Sequence, residues 1–80
     1  MRLDKFLKVS RIIKRRTVAN DACDNAHVTV NGRAAKASYD VKAGDVIVIT
    51  FGERSMSVRV LDVREHALKA DVAEMFEVLT

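Results

Sequence analysis

The segment from Arg2 to Ser10, RLDKFLKVS, determines how the chain starts to fold, because its apolar and basic side chains recur at separate helical positions. The apolar stripe consists of Leu3, Phe6 and Leu7, with the small Ser10 one turn further on. The bases that recur every three residues, away from that stripe, are Arg2, Lys5 and Lys8. This pattern predicts a short amphipathic helix over residues 3–9, with Asp4 in the first turn, where a carboxylate suits the helix dipole.

A second helix is predicted over about residues 17–24, after a basic connection at residues 10–16, SRIIKRR. Ile12 and Ile13 are the apolar anchors of that connection. Thr17 is the expected N-cap, and Asp21 lies in the turn that follows it. The apolar stripe expected for this helix is Val18, Ala19, Ala22 and Cys23.

After Asn25 the periodicity changes from helical to alternating, which predicts an antiparallel sheet. Val28 and Val30 alternate with polar residues, and Asn31-Gly32 is a strong signal for a tight hairpin. The other expected elements are a return strand at residues 33–35, a turn at 43–45, a buried strand at 46–49, a turn at 52–54 and a strand from 56 to about 63.

The C-terminal residues leave two interpretations open. Leu68, Val72, Met75, Phe76 and Leu79 are spaced like a helix stripe, whereas residues 76–79 alone fit a closing strand. Two helices, a small antiparallel sheet and a short C-terminal helix or strand make an α+β fold of one domain. We expect residues 1–63 to form its main module and residues 64–80 to form a tail that packs on the same domain.

The basic side chains are concentrated at one end of the chain. Residues 1–16 hold seven of the fourteen bases and one acid, a charge of +6, and the other sixty-four residues hold seven bases and ten acids, a charge of −3. A concentrated cationic face suits a polyanion partner, because neutralised phosphates release counterions. The seven bases are Arg2, Lys5, Lys8, Arg11, Lys14, Arg15 and Arg16.

Four of these bases are arginines, whose planar guanidinium groups match phosphate oxygens and stack on nucleobases. Arg16 precedes the expected cap of the second helix, where free backbone N–H groups favour an anion, and Arg2 is placed similarly before the first helix. Lys5, Arg11 and Arg15 are the next candidates. A membrane surface is the alternative anionic partner, but the core needs the apolar face of the first helix.

The sequence lacks the residue patterns of catalysis and metal binding. Asp4 has no partner carboxylate or histidine close in sequence, and Cys23 lies on an apolar stripe. His27 and His66 lack the spacing of zinc ligands, and the three glycines are isolated in turns. We therefore expect no enzyme, no cofactor and no metal. The single cysteine and the charges directly after Met1 indicate a soluble cytoplasmic protein.

Several segments together resemble the S4 RNA-binding domain, the αL module named after a small-subunit ribosomal protein. They are RLDKFL at residues 2–7, SR at 10–11, KRRT at 14–17, VTVNGR at 28–33, KAS at 36–38 and VKAGDV at 41–46. The resemblance covers about residues 1–63 and implies two short helices packed on a small sheet, with RNA as the ligand.

Within this family, a lone domain of this length is similar to the members that act in bacterial ribosome-associated quality control. The resemblance implies binding to a large ribosomal subunit obstructed by peptidyl-tRNA, through contacts to large-subunit rRNA and tRNA. It also implies support of C-terminal alanine tailing by an RqcH-type factor, and we expect a monomer. The expected RNA-binding residues are Arg2, Asp4, Lys5, Lys8, Arg11, Lys14, Arg15, Arg16, Asn31 and Gly32.

The chain departs from the family pattern at two positions, since many members have glycine at Ala26 and proline at Ala37. We expect Asn25 to supply the left-handed residue that such a glycine would provide. Two other functions stay open on the residues alone. One is an accessory RNA-binding subunit of an RNA-modifying enzyme, and the other is a factor for ribosome assembly or recycling.

Overall fold

The computed structural model describes residues 1–79, which contain two α-helices, five β-strands and one 3₁₀ helix. Helix α1 spans Leu3–Val9 and helix α2 spans Arg16–Asp24. The other elements are β1 (Val28–Val30), β2 (Arg33–Ala34), β3 (Val46–Phe51), β4 (Arg54–Val60), a 3₁₀ helix (Lys69–Glu74) and β5 (Phe76–Val78). The predicted α+β class with two N-terminal helices and an antiparallel sheet is confirmed.

The five strands form one antiparallel sheet in the order β2-β1-β3-β4-β5. Its register places Val28 opposite Ile49, and Ile47 opposite Val58, so that the buried side chains of three strands share one face. This face packs in a single core with the apolar stripes of the helices. The helix residues in that core are Leu3, Phe6, Leu7, Ala19 and Cys23.

The long connection between β2 and β3 holds the N-terminus of α1. The N–H groups of Leu3 and Asp4 donate to the carbonyl oxygens of Tyr39 (2.8 Å) and Ala37 (3.2 Å). The N–H of Val41 donates to the carbonyl oxygen of Met1 at 2.8 Å. A seven-residue helix is too short to be stable alone. These contacts, together with packing of its apolar face, therefore hold it in place.

Helix α2 differs from expectation at its start. It begins at Arg16, with Arg15 as the N-cap residue and no side-chain cap, so the prediction of Thr17 as N-cap is wrong. Asp21 consequently lies beyond the first turn, which contains no acid. Val18 is 49% exposed and does not belong to the buried stripe. Arg15 has the extended backbone of an N-cap residue, with φ −113° and ψ 130°, and the helical backbone already begins at Arg16.

The strand ends also differ slightly from expectation. The return strand ends at Ala34 instead of residue 35, β3 continues to Phe51, and β4 ends at Val60 instead of residue 63. Both interpretations of the C-terminal residues are partly right, because a 3₁₀ helix is followed by the closing strand β5. Of the proposed helix stripe, Met75 is fully buried, whereas Leu68 is 75% exposed. The division of the chain after residue 63 stays a prediction.

Ala26 itself takes the left-handed conformation that links α2 to β1, with φ 62°. Asn25, expected to do so, has φ −94° and serves as the C-cap of α2. The N–H groups of Ala26 and His27 donate back to the carbonyl oxygens of Cys23 (3.1 Å) and Ala22 (2.9 Å), which fixes this turn. The turn thus requires a positive φ at a residue with a β-carbon, which costs about 1–2 kcal/mol.

We expect Ala26→Gly to raise the free energy of unfolding by about 1 kcal/mol, because glycine adopts a positive φ without steric cost. Urea unfolding followed by circular dichroism measures the change. The matched control is Ala43→Gly, because Ala43 is exposed in a loop and does not have a positive φ. It is expected to lower stability through added freedom of the unfolded chain. Equal effects of the two substitutions would contradict the explanation.

Candidate nucleic-acid interface

A buried carboxylate joins the two helices at the surface where the basic residues lie. The Asp4 side chain is 3% exposed and accepts hydrogen bonds from both helices. Arg2 donates through Nε to Oδ1 at 3.1 Å and through Nη2 to Oδ2 at 3.4 Å. From α2, Arg16 Nε and Asn20 Nδ2 donate to Oδ2 at 3.4 Å and 3.3 Å. The N–H of Lys5 donates to Oδ1 at 2.8 Å. We call these four side chains, Arg2, Asp4, Arg16 and Asn20, the Asp4 clamp.

The Asp4 clamp holds the two arginines without burying them. The side chains of Arg2 and Arg16 are 51% and 49% exposed. Since each guanidinium is tied to Asp4 through Nε, its orientation is restricted while part of its donor edge faces solvent. A guanidinium held in this way loses less entropy when it binds a phosphate.

Two opposing effects act on the pKa of Asp4. Burial by itself raises that pKa, but the hydrogen bonds from Arg2, Asn20, Arg16 and the Lys5 backbone outweigh it. The pKa of Asp4 therefore lies below its ordinary value, and the carboxylate is ionised at neutral pH.

Four other bases of the cationic block extend this surface. Lys8, Arg11, Lys14 and Arg15 are all exposed, and none of them forms a salt bridge within residues 1–79. Lys5 differs from them, because its ammonium pairs with Glu65 of the C-terminal segment. We call the seven bases, Arg2, Lys5, Lys8, Arg11, Lys14, Arg15 and Arg16, the basic face.

The helix N-termini differ in their capacity to take an anion. The N–H groups at the start of α1 are occupied by Tyr39, Ala37 and the side chain of Asp4, so the predicted anion site beside Arg2 is wrong in its backbone part. At the start of α2, the N–H groups of residues 16–18 have no hydrogen-bond partner within residues 1–79. The start of α2 therefore offers backbone N–H donors to an anion next to Arg16, and the start of α1 does not.

Asn31 and Gly32, which the sequence predicts as RNA contacts, form the turn that joins β1 to β2. Asn31 has φ 54° and Gly32 has φ 82°, as a two-residue turn of type I′ requires. The side chain of Asn31 donates to Asp45 Oδ1 at 3.1 Å and accepts from the N–H of Val46 at 3.0 Å. Within the described chain no hydrogen bond links these two residues to the basic face.

Asn20 is the member of the clamp that sequence reasoning missed. It lies one helical turn after Arg16, so both side chains project from the same face of α2. That i, i+4 spacing was the available signal, but it does not reveal a carboxylate sixteen residues earlier in the chain.

Cys23, which the sequence predicts to be a packing residue and not a nucleophile, lies in the hydrophobic core. Cys23 is buried, and its burial, with smaller effects of Asp4 and Asp24, raises the pKa of the thiol to about 11. The thiol is thus protonated at neutral pH and packs as a small apolar group. Within residues 1–79 no group of three histidine, cysteine or acidic side chains is arranged to hold a metal ion. No helix in that range is long and apolar enough to cross a membrane.

Comparisons with known proteins agree with this geometry. The S4 domain matches residues 1–47, more than half of the chain, so the protein is a member of the S4 domain family. The chain belongs, within that family, to the RQC P-site tRNA stabilizing factors (RqcP). It is 50% identical to the factor from Halalkalibacterium halodurans over 98% of this chain and 89% of the relative. It is 47% identical to the factor from Bacillus subtilis over 99% of this chain and 92% of that relative.

Two solved structures share the fold. Vibrio cholerae heat shock protein 15, described as trimeric, superposes with a TM-score of 0.89 at 24% identity, covering 98% of this chain and 80% of that one. The solution structure of the hypothetical protein HP1423 superposes with a TM-score of 0.84 at 33% identity. The match covers 100% of this chain and 98% of that one. The resemblance to the S4 domain and to its quality-control members, predicted from the sequence, is confirmed.

We expect Asp4→Asn to lower the free energy of unfolding at neutral pH by about 1–3 kcal/mol, because two arginines lose their charged acceptor. Since the folded pKa of Asp4 is depressed, its stabilisation is complete above the unfolded pKa and is lost as pH falls through the folded pKa. Urea unfolding between about pH 7 and pH 2 should therefore show a shallower acid loss for the variant than for the parent.

The matched control for this prediction is Asp24→Asn, which neutralises an exposed acid on α2. It should leave both the stability at neutral pH and its acid dependence close to those of the parent. An Asp4→Asn variant as stable as the parent would show that the clamp contributes nothing to folding.

Proposed function

We propose that this chain is a non-catalytic RNA-binding factor of bacterial ribosome-associated quality control. It binds large ribosomal subunits that carry peptidyl-tRNA, through contacts to large-subunit rRNA and to the tRNA. The names of its relatives, RQC P-site tRNA stabilizing factors at 50% and 47% identity, support this assignment. The observation that carries it is the Asp4 clamp, which fixes two half-exposed arginines. Four further exposed basic side chains of the same face form no salt bridge within residues 1–79.

The roles proposed for the basic face follow from this geometry. Arg2 and Arg16 bind phosphate groups as oriented, charge-assisted donors. The exposed side chains of Lys8, Arg11, Lys14 and Arg15 supply further phosphate contacts. Asp4 is a positioning residue, since its own carboxylate is buried, and Lys5 becomes available when its pairing with Glu65 opens. Asn31 and Gly32 maintain the hairpin, and their contact with RNA stays a prediction.

The partners and the setting belong to the same proposal. The factor acts on ribosomes in the bacterial cytoplasm and supports C-terminal alanine tailing by an RqcH-type factor. It acts there as a monomer, although the related heat shock protein 15 is described as trimeric.

We expect Arg2→Ala and Arg16→Ala each to weaken binding to tRNA-bearing large subunits by at least about tenfold, because each removes a charge-assisted contact worth about 1.5–3 kcal/mol. Sedimentation of the purified protein with such subunits measures the affinity. Arg54→Ala is the matched control, since it removes an exposed arginine outside the basic face. It should bind like the parent.

Two results would overturn parts of the proposal. If the Arg2→Ala and Arg16→Ala variants fold and bind as tightly as the parent, the basic face is not the RNA-binding surface. A parent that prefers empty or precursor subunits would instead favour assembly or recycling as the function.

The salt dependence of binding tests the number of phosphates engaged. Residues 1–16 carry seven bases and one acid, a net charge of +6, which matches six neutralised phosphates. For six phosphates, the logarithm of the binding constant should fall against the logarithm of salt concentration with a slope of about −4 to −5. Arg16→Ala should reduce the steepness by about one. A slope near zero would contradict phosphate-led binding.

A further inference from the structure

An open groove of about 480 Å³ separates the end of α1 from the C-terminal segment. Lys8, Val9, Arg11 and Lys14 line one side of this groove. Glu65, His66 and Ala67 line the other side. Its volume falls within the range of about 300–1,000 Å³ that small-molecule sites occupy.

The groove combines an apolar floor with a cationic rim. Val9 and Ala67 are partly exposed and pack against the hydrophobic core. The exposed bases Lys8, Arg11 and Lys14 form the rim and have no ion-pair partner within residues 1–79. The one acid of the lining, Glu65, is paired with Lys5, which offsets its charge. The groove therefore favours a ligand that carries both an apolar surface and a negative charge.

The C-terminal wall of the groove is held by several contacts. Arg64 donates to Asp62 Oδ2 at 2.8 Å and to Glu74 Oε2 at 2.9 Å. The N–H of Leu61 donates to the carbonyl oxygen of Met75 at 2.8 Å, and the Met75 side chain is fully buried. The segment that carries His66 is therefore anchored before and after it.

We propose that this groove takes one unpaired nucleotide of the bound RNA, with the base against His66 and the apolar floor and its phosphate on the basic rim. Unpaired bases in RNA stack on flat side chains, histidine among them, whereas a paired stem presents only its backbone to such a surface. A phosphate alone would leave the apolar floor unused. This inference rests on the proposed RNA-binding function and adds His66 to its contact residues.

The test compares two labelled RNA hairpins by fluorescence anisotropy, one fully paired and one with a single unpaired adenosine in the stem. The parent should bind the second hairpin at least about fivefold more tightly, the lower end of what one stacked base contributes. His66→Ala should abolish that ratio without changing affinity for the paired hairpin, and His66→Phe should keep it. His27→Ala, which removes an exposed histidine outside the groove, should behave like the parent.

Several outcomes overturn the inference. Equal binding of both hairpins by the parent overturns it, as does a preference that persists in His66→Ala. Equal hairpin binding together with weaker binding of His66→Ala to large subunits overturns the stacked nucleotide and assigns His66 to another contact with the subunit. The ratio of the affinities for the two hairpins tests the groove alone. A loss of affinity for both hairpins in Arg2→Ala tests the proposed function. Failure of both hairpins to bind also overturns the inference, whereas the proposed function is decided by binding to tRNA-bearing large subunits.

Discussion

The rest of the structure depends on the hydrogen bonding of one buried carboxylate, that of Asp4. Removing a charge from water costs several kcal/mol unless donors replace the lost hydration. Here the replacement donors come from the residue before α1, from the α1 backbone and from two side chains of α2. Satisfying Asp4 therefore requires the helices to pack in one arrangement, and the same contacts place two arginines side by side at the surface. Folding and RNA binding share this interaction.

The dependence explains how a seven-residue helix can present a functional face. Helix α1 gains little from its own hydrogen bonds, because a helix of seven residues forms few of them. Its first N–H donors are satisfied by the β2–β3 connection and by Asp4 instead. Leu3, Phe6 and Leu7 are fully buried and fix its rotation about its axis. Since rotation and both ends are fixed, the bases at the intervening positions project in a constant direction.

Local periodicity predicted most of the fold, because it records which face of each element is buried. The amphipathic α1, the Asn31-Gly32 turn and the alternating valines of β1 follow from spacing alone. The pairing of β5 with β4 does not, because it joins residues far apart in the chain. The start of α2 at Arg16 and the left-handed Ala26 do not either, because both place a residue where local preference favours another type. For the site, charge clustering predicted the bases. The Arg16–Asp4 and Asn20–Asp4 contacts join residues twelve and sixteen positions apart, and spacing carries no signal for them.

The uneven distribution of charge decides how such a small domain meets RNA. Sixty-four residues after the cationic block carry a net charge of −3, so the faces they form repel a polyanion while the basic face attracts it. The acidic C-terminal segment reaches the basic face at the Lys5–Glu65 pair, and there it borders the groove. RNA that approaches the basic face is therefore limited on that side by Glu65 and His66.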